Sequence, residues 1–215
     1  MNQLPEKVLL LYHAMQELVG EGVDLSTVKV SAITERAGIG KGTAYEYFDS
    51  KEDLVASSLV FLVEQTILEL RRAIQDQHTL YNQLNSLLIE LGEKIKVRAG
   101  LLHFVNMLTD FSPISQLFRD KLIQETDAKV KPIEMIDEML DAAAKRGEIK
   151  EVYPKDYMIM SVCSRIITYI TFLTIQEDLA QVGLFQTATT MPLAAGRRED
   201  ELRHFICESV IREFQ

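Results

Sequence analysis

With 215 residues, 47% of them hydrophobic and 26% charged, the chain can bury a sizeable core and is too apolar to be a disordered polymer. Its formal net charge of -9 excludes a protein that coats nucleic acid non-specifically, yet leaves room for a local basic face. The two cysteines, Cys163 and Cys207, have neither CxxC spacing nor histidine pairs nearby. A disulfide framework and a metal site are therefore not expected, and buried free thiols are.

Met1 is followed by Asn2, Gln3 and Pro5 in place of a basic and then apolar run. No signal peptide is read, and a cytoplasmic location is expected. Val8, Leu11, Tyr12, Met15, Leu18 and Val19 recur at helical spacing, which predicts a first helix over Pro5 to Val19, stopped by Gly20 and Gly22. A second short helix ends at Ala37, with Val30, Ile33 and Ala37 on one side, and Gly38 closes it. A third is expected from Lys41 to Phe48, where Phe48 reads as core. Ser50 followed by Asp53 has the form of a capping box, with Asp in the place of Glu, ahead of the apolar run Leu54 to Val63. The long helix it starts should be buried over its first half and one-sided over its second.

Leu80, Leu84, Leu87, Leu88, Leu91 and Ile95 mark a further helix, and Leu101 to Phe111 a shorter one ended by Pro113. Ile114 to Lys145 is helical with an interruption around Pro132, and Gly147 suits a C-terminal cap. Pro154 stands at the start of a segment running to about Leu179. Its most apolar part, Tyr157 to Gln176, carries Arg165 among serines and threonines, which a bilayer would penalise, so a buried helix and no membrane partner are expected. A loop then leads to a last helix from Arg197 to Phe214. The fold class is all-α.

The second helix, the Gly38 turn and the third helix form a helix-turn-helix, a unit that presents its second helix to the major groove of DNA. Gly38 suits the positive φ of a sharp turn, and Gly42 leaves room for close approach. Lys41, Thr43, Tyr45, Tyr47 and Lys51 add hydrogen-bond donors suited to phosphate oxygens. The plainer alternative is that Tyr45 or Tyr47 packs on the first helix.

The stretch VSAITERAGIGKGTAYEYFDSKEDL resembles the N-terminal helix-turn-helix of the TetR-type (TetR/AcrR) transcriptional repressors. The likeness runs through Ile33, Ala37, Gly38, Ile39, Lys41, Gly42, Thr43, Tyr45, Tyr47 and Phe48, and then Lys51 to Leu54, about the first quarter of the chain. It implies a three-helix DNA-binding domain over 1–49 and a larger helical ligand-binding and dimerisation domain over 50–215. Lys41, Gly42, Thr43, Tyr45 and Tyr47 would lie on the recognition helix, with Ser31 and Lys51 at neighbouring phosphate contacts. Double-stranded operator DNA, a homodimer formed by the late helices 156–179 and 197–214, and an unidentified small-molecule inducer are the implied partners. Candidates for the ligand cavity are His103, Phe104, Met107, Phe111, Met139 and Phe172, although Met and aromatic residues at helical spacing also suit an ordinary core.

Four positions depart from the family pattern: Lys29 stands where Ser or Thr often caps, Gly40 where Ser is common, Thr34 for a small Ala, and Ala44 for a larger apolar residue. Residues 1–55 hold five Lys plus Arg against nine Asp plus Glu. That balance motivates a second reading, an interaction protein that keeps the fold and has lost specific operator binding. No Gly-rich phosphate loop, GxSxG, HExxH or paired carboxylates stand out, so neither catalysis nor a cofactor is expected.

Overall fold

A computed structural model describes residues 4–25, 27–97, 110–124, 131–150, 153–181 and 195–215. Among them there are nine α-helices and no strand: α1 Glu6–Gly20, α2 Val30–Ala37, α3 Lys41–Ala44, α4 Lys51–Gln75, α5 Leu80–Val97, α6 Pro113–Gln124, α7 Pro132–Lys145, α8 Lys155–Gln181 and α9 Ala195–Glu213. The expected helix over Leu101 to Phe111 lies mostly outside the described residues. The chain forms two compact units, one of residues 1–68 and 96–131, the other of 69–95 and 132–215. Among the described residues no helix is long and apolar enough to cross a membrane.

In the first unit, α1 buries Val8, Leu11, Tyr12, Met15, Leu18 and Val19, the stripe that the sequence spacing marks. Val30, Ile33 and Thr34 of α2 are also buried. Thr34, which replaces a small residue, donates its hydroxyl to the Ser31 carbonyl at 3.1 Å, so a buried polar group is satisfied within its own helix. Gly38 closes α2 at φ 68°, in the left-handed region, and there the Ile39 N–H reaches back to the Thr34 carbonyl at 3.0 Å. Phe48 is buried and meets the Tyr12 ring at 6.0 Å, while Phe61 of α4 meets it at 5.0 Å.

The Ser50 half of the α4 cap forms as the sequence predicts, while the return bond falls one residue earlier than in a capping box. The Asp53 N–H donates to Ser50 Oγ at 3.0 Å, and the Asp53 carboxylate accepts the Asp49 N–H at 3.0 Å. Leu54, Val55, Ala56, Ser58, Leu59 and Val60 are buried on several faces, whereas further on only Val63, Thr66, Ile67, Leu70 and Ile74 are, at one-sided spacing. Just ahead of α6 the Ser112 hydroxyl accepts the Ser115 N–H at 3.3 Å, and within the helix Phe118 is wholly buried.

In the second unit Leu80, Leu84, Leu87, Leu88 and Leu91 of α5 are buried, as are Met135, Ile136, Met139 and Leu140 of α7 and Tyr169 and Ile170 of α8. Gly92 allows a close approach: a Cβ there would stand 3.0 Å from the Tyr169 hydroxyl and 3.1 Å from Glu199 Oε1. That hydroxyl donates to Glu199 at 3.1 Å, and the Arg203 guanidinium donates to the same carboxylate oxygen at 3.0 Å. Burial pushes the Tyr169 hydroxyl up to about 12.

Candidate DNA-binding face

The recognition segment is shorter than the sequence predicts. Regular helix spans only Lys41 to Ala44, with Gly40 as an extended N-cap, and beyond it the chain tightens. The Glu46 and Tyr47 amides bond to the carbonyls of Thr43 and Ala44, three residues back, each at 3.2 Å. Tyr45 is therefore the C-cap of α3, and Tyr47 belongs to the turn that follows. This corrects the expectation that both tyrosines lie on the recognition helix. The Phe48 amide bonds four residues back, to the Ala44 carbonyl at 3.0 Å, and Phe48 is buried as the sequence predicts.

The seven candidate positions are all at least partly accessible. Lys41, Gly42, Tyr45 and Tyr47 are exposed, and Ser31, Thr43 and Lys51 are half-buried. Tyr45 and Tyr47 are 47% and 40% exposed, whereas Phe48 is buried and meets Tyr12 of α1. Lys41 Nζ lies 5.9 Å from the centroid of the Tyr45 ring, a cation–π contact that places a charge and a hydroxyl-bearing ring side by side. Among the described residues, apart from its sequence neighbours and its own helix backbone, nothing lies within 4 Å of where a Cβ on Gly42 would be. Internal packing does not require glycine at that position, although it leaves the backbone open to an approaching surface.

Pairing inside residues 1–55 leaves their acidic excess unchanged, because Arg36 is already among the five cations there, whereas Lys121, from outside that segment, offsets one carboxylate. Arg36, in the last turn of α2, donates to both carboxylate oxygens of Glu21, at 2.8 and 3.0 Å, and to Glu17 at 3.3 Å. The hydrogen bond from Arg36 holds the Glu21 carboxyl below its ordinary range. Asp53 has a cationic partner too, Lys121 Nζ at 3.0 Å. Glu46 and Asp49 remain exposed beside the tyrosines. Sequence reasoning missed Lys121, because a lysine on a distant helix carries no local signal of the carboxylate it will meet.

Three of the six candidate ligand residues fall among the described residues. His103, Phe104 and Met107 lie outside the described residues. Phe111 is 92% exposed and lines no enclosed cavity, because it precedes α6 at the surface and is not held on a helix face. Met139 is buried in α7 and Phe172 half-buried in α8, both in the second unit. Burial raises the Cys163 and Cys207 thiols, the latter to about 12. Among the described residues no group of three or more His, Cys, Asp or Glu could hold a metal ion.

Comparison with known proteins matches residues 12–57 to the profile of the bacterial regulatory proteins of the tetR family. An HTH-type transcriptional regulator of Staphylococcus aureus (strain MRSA252) is 25% identical over 124 residues, a stretch that covers 54% of this chain and 65% of that relative. The match thus spans less than two thirds of the relative's length. Among solved structures, the fatty acid degradation regulator FadR from Bacillus halodurans superposes with a TM-score of 0.69 at 16% identity, covering 98% of this chain and 97% of that one. The transcriptional regulator FadR from Bacillus subtilis, in complex with stearoyl-CoA, gives 0.67 at 19% identity, with 96% and 99% covered. At these identities the likeness is one of fold.

Proposed function

We propose that this chain, a transcriptional regulator of the tetR family by its N-terminal segment, is a repressor that binds operator DNA as a homodimer and is released by a small-molecule inducer. The observation that carries the reading is the accessible set Lys41, Gly42, Thr43, Tyr45 and Tyr47 on one short segment after the Gly38 turn, flanked by Ser31 and Lys51. Donors on such a segment bind phosphates and set register, while side chains entering the groove read base edges. In this reading residues 1–49 bind DNA, residues 50–215 bind ligand and dimerise, and the protein works in the cytoplasm, where its operator is.

Dimerisation is supported by the exposed apolar side chains Tyr157, Met160 and Ile167 of α8 and Phe205 of α9, which a second copy would cover. A closed two-fold pair would set the two recognition segments about 34 Å apart, one turn of DNA, or at a multiple of that spacing. For the inducer, the stearoyl-CoA complex of the Bacillus subtilis regulator makes long-chain acyl thioesters the first class to test. Ligand and operator would each weaken the other's binding by one shared factor, since linkage is reciprocal.

Exposed Glu46 and Asp49 favour the second reading, in which the fold persists without specific operator binding. One measurement separates the two. A mobility-shift screen of DNA flanking the protein's own coding region, at low salt, should retain one fragment in the presence of unlabelled competitor DNA. Uniform weak binding to every fragment would sink the repressor reading.

A further inference from the structure

The Asp53 carboxylate sits at the exit of the recognition segment, where the Ser57 hydroxyl donates to it at 3.5 Å and two closer partners hold it. It accepts the Asp49 N–H at 3.0 Å, fixing the turn between Phe48 and α4, and it faces Lys121 Nζ at 3.0 Å. Lys121 comes from α6, outside the helix-turn-helix but within the same compact unit. The two side chains are only 16% and 19% exposed, so solvent and salt weaken their attraction less than that of a surface pair. Phe118, wholly buried, anchors α6 one turn before Lys121, and residues three apart on a helix share a face.

We propose that Lys121 is a positioning residue for operator binding: through Asp53 it holds the Asp49–Ser50 turn, which carries Tyr47 on one side and Lys51 on the other. The inference rests on the operator-binding reading above. Without the ammonium group, the carboxylate gains by turning out to water and gives up the Asp49 N–H. The turn then loses that bond, and the donors on either side of it lose their fixed spacing. Lys121 thereby acts on DNA affinity without touching DNA.

The test uses the full chain as Lys121→Met, Lys121→Arg, Asp53→Asn and the Lys121→Met/Asp53→Asn double variant. Hydrogen exchange at residues 45–50 and operator titrations across a salt series are the two readouts. Lys121→Met should speed exchange at Asp49 and lower operator affinity about tenfold, with the wild-type slope of affinity against salt. Lys121→Arg should restore both. The double variant should bind no worse than the weaker single one, because both substitutions break the same contact. Unchanged exchange and affinity in Lys121→Met would overturn the proposal, as would additive losses in the double variant. So would a salt slope reduced by about one, which would put Lys121 on a phosphate. Should Lys121→Met not fold, Asp53→Asn must by itself speed Asp49 exchange and weaken binding. A wild-type chain that binds no DNA removes the operator reading and this inference together, whereas a binding wild type with an equal Lys121→Met variant removes this inference alone.

Discussion

The Arg165 guanidinium reaches the Glu213 carboxylate at 2.5 Å, joining the middle of α8 to the last residue of α9. Tyr157 and Ser161 donate to the same carboxylate at 2.8 and 2.9 Å, and Arg165 Nε donates to Ser209 at 3.0 Å. Burial by itself would raise the Glu213 carboxyl, but the hydrogen bonds from Tyr157, Ser161 and Arg165 outweigh it and hold it below its usual value. A carboxyl depressed in the folded state stabilises fully above the ordinary glutamate value of 4.5 and loses that contribution as pH falls through the folded value. Arg165→Met should therefore cost about 1–3 kcal/mol at neutral pH. Urea midpoints followed as the pH falls below 4.5 should show the wild type converging on the variant.

Lys51 and Tyr45 should separate by their salt dependence. Lys51→Gln removes a charge from the start of α4, so operator affinity should fall and the slope against salt should flatten by about one counterion. Tyr45→Phe removes only a hydroxyl, and should weaken binding across operator sequences with little change of slope. Fluorescence titrations at several salt concentrations measure both, and equal slopes for the two variants would contradict the assignment of Lys51 to a phosphate.

Gly38 and Gly42 should fail in different ways. Gly38→Ala forces a Cβ into φ 68°, which costs about 1–2 kcal/mol although no neighbour is within 4 Å. Gly42→Ala meets open space without a strained φ, so stability should stay within about 1 kcal/mol of the wild type. Its operator affinity should nonetheless drop, because the added methyl stands where DNA would approach. Thermal melts paired with mobility shifts distinguish the two, and normal DNA binding by Gly42→Ala would remove the close-approach argument.

The exposed apolar side chains of α8 and α9 predict a self-association that charge can abolish. Met160 and Phe205 are 70% and 69% exposed, so lysine at both positions should leave each copy folded. Sedimentation at micromolar concentration should then give monomer for the double variant and dimer for the wild type. A dimer in both cases would place the interface elsewhere.

Much of the local structure was legible because it is written in short-range signals. The Ser50 to Asp53 spacing announces its cap, the α1 stripe announces its buried face, and Gly38 and Gly147 announce helix ends, Gly147 at φ 74°. The length of α3 was not legible, since Tyr45, Tyr47 and Phe48 continue a helical pattern in side chains while the Glu46 and Tyr47 amides shift to bonds three residues back. Tertiary polar pairs were invisible for a related reason. Glu199 and Arg203 stand four apart and could have been read as a helix pair, but nothing near Tyr169 or Gly92 signals that they meet it. Phe111 shows the converse, an aromatic residue whose sequence neighbourhood suggests a lining and whose side chain lies in solvent.

The tightened recognition segment also separates what holds the protein together from what it reads. From Lys41 to Tyr47 only Ala44 is buried, while Lys41, Gly42, Tyr45, Glu46 and Tyr47 are exposed and Thr43 is half-buried. Exposed substitutions away from strained or paired positions shift stability by at most about 0.5 kcal/mol. The segment therefore behaves as an interchangeable cassette, seated by Ala44 and Phe48, on which a library of side chains could be sampled for new operator preferences without reselecting the fold beneath it.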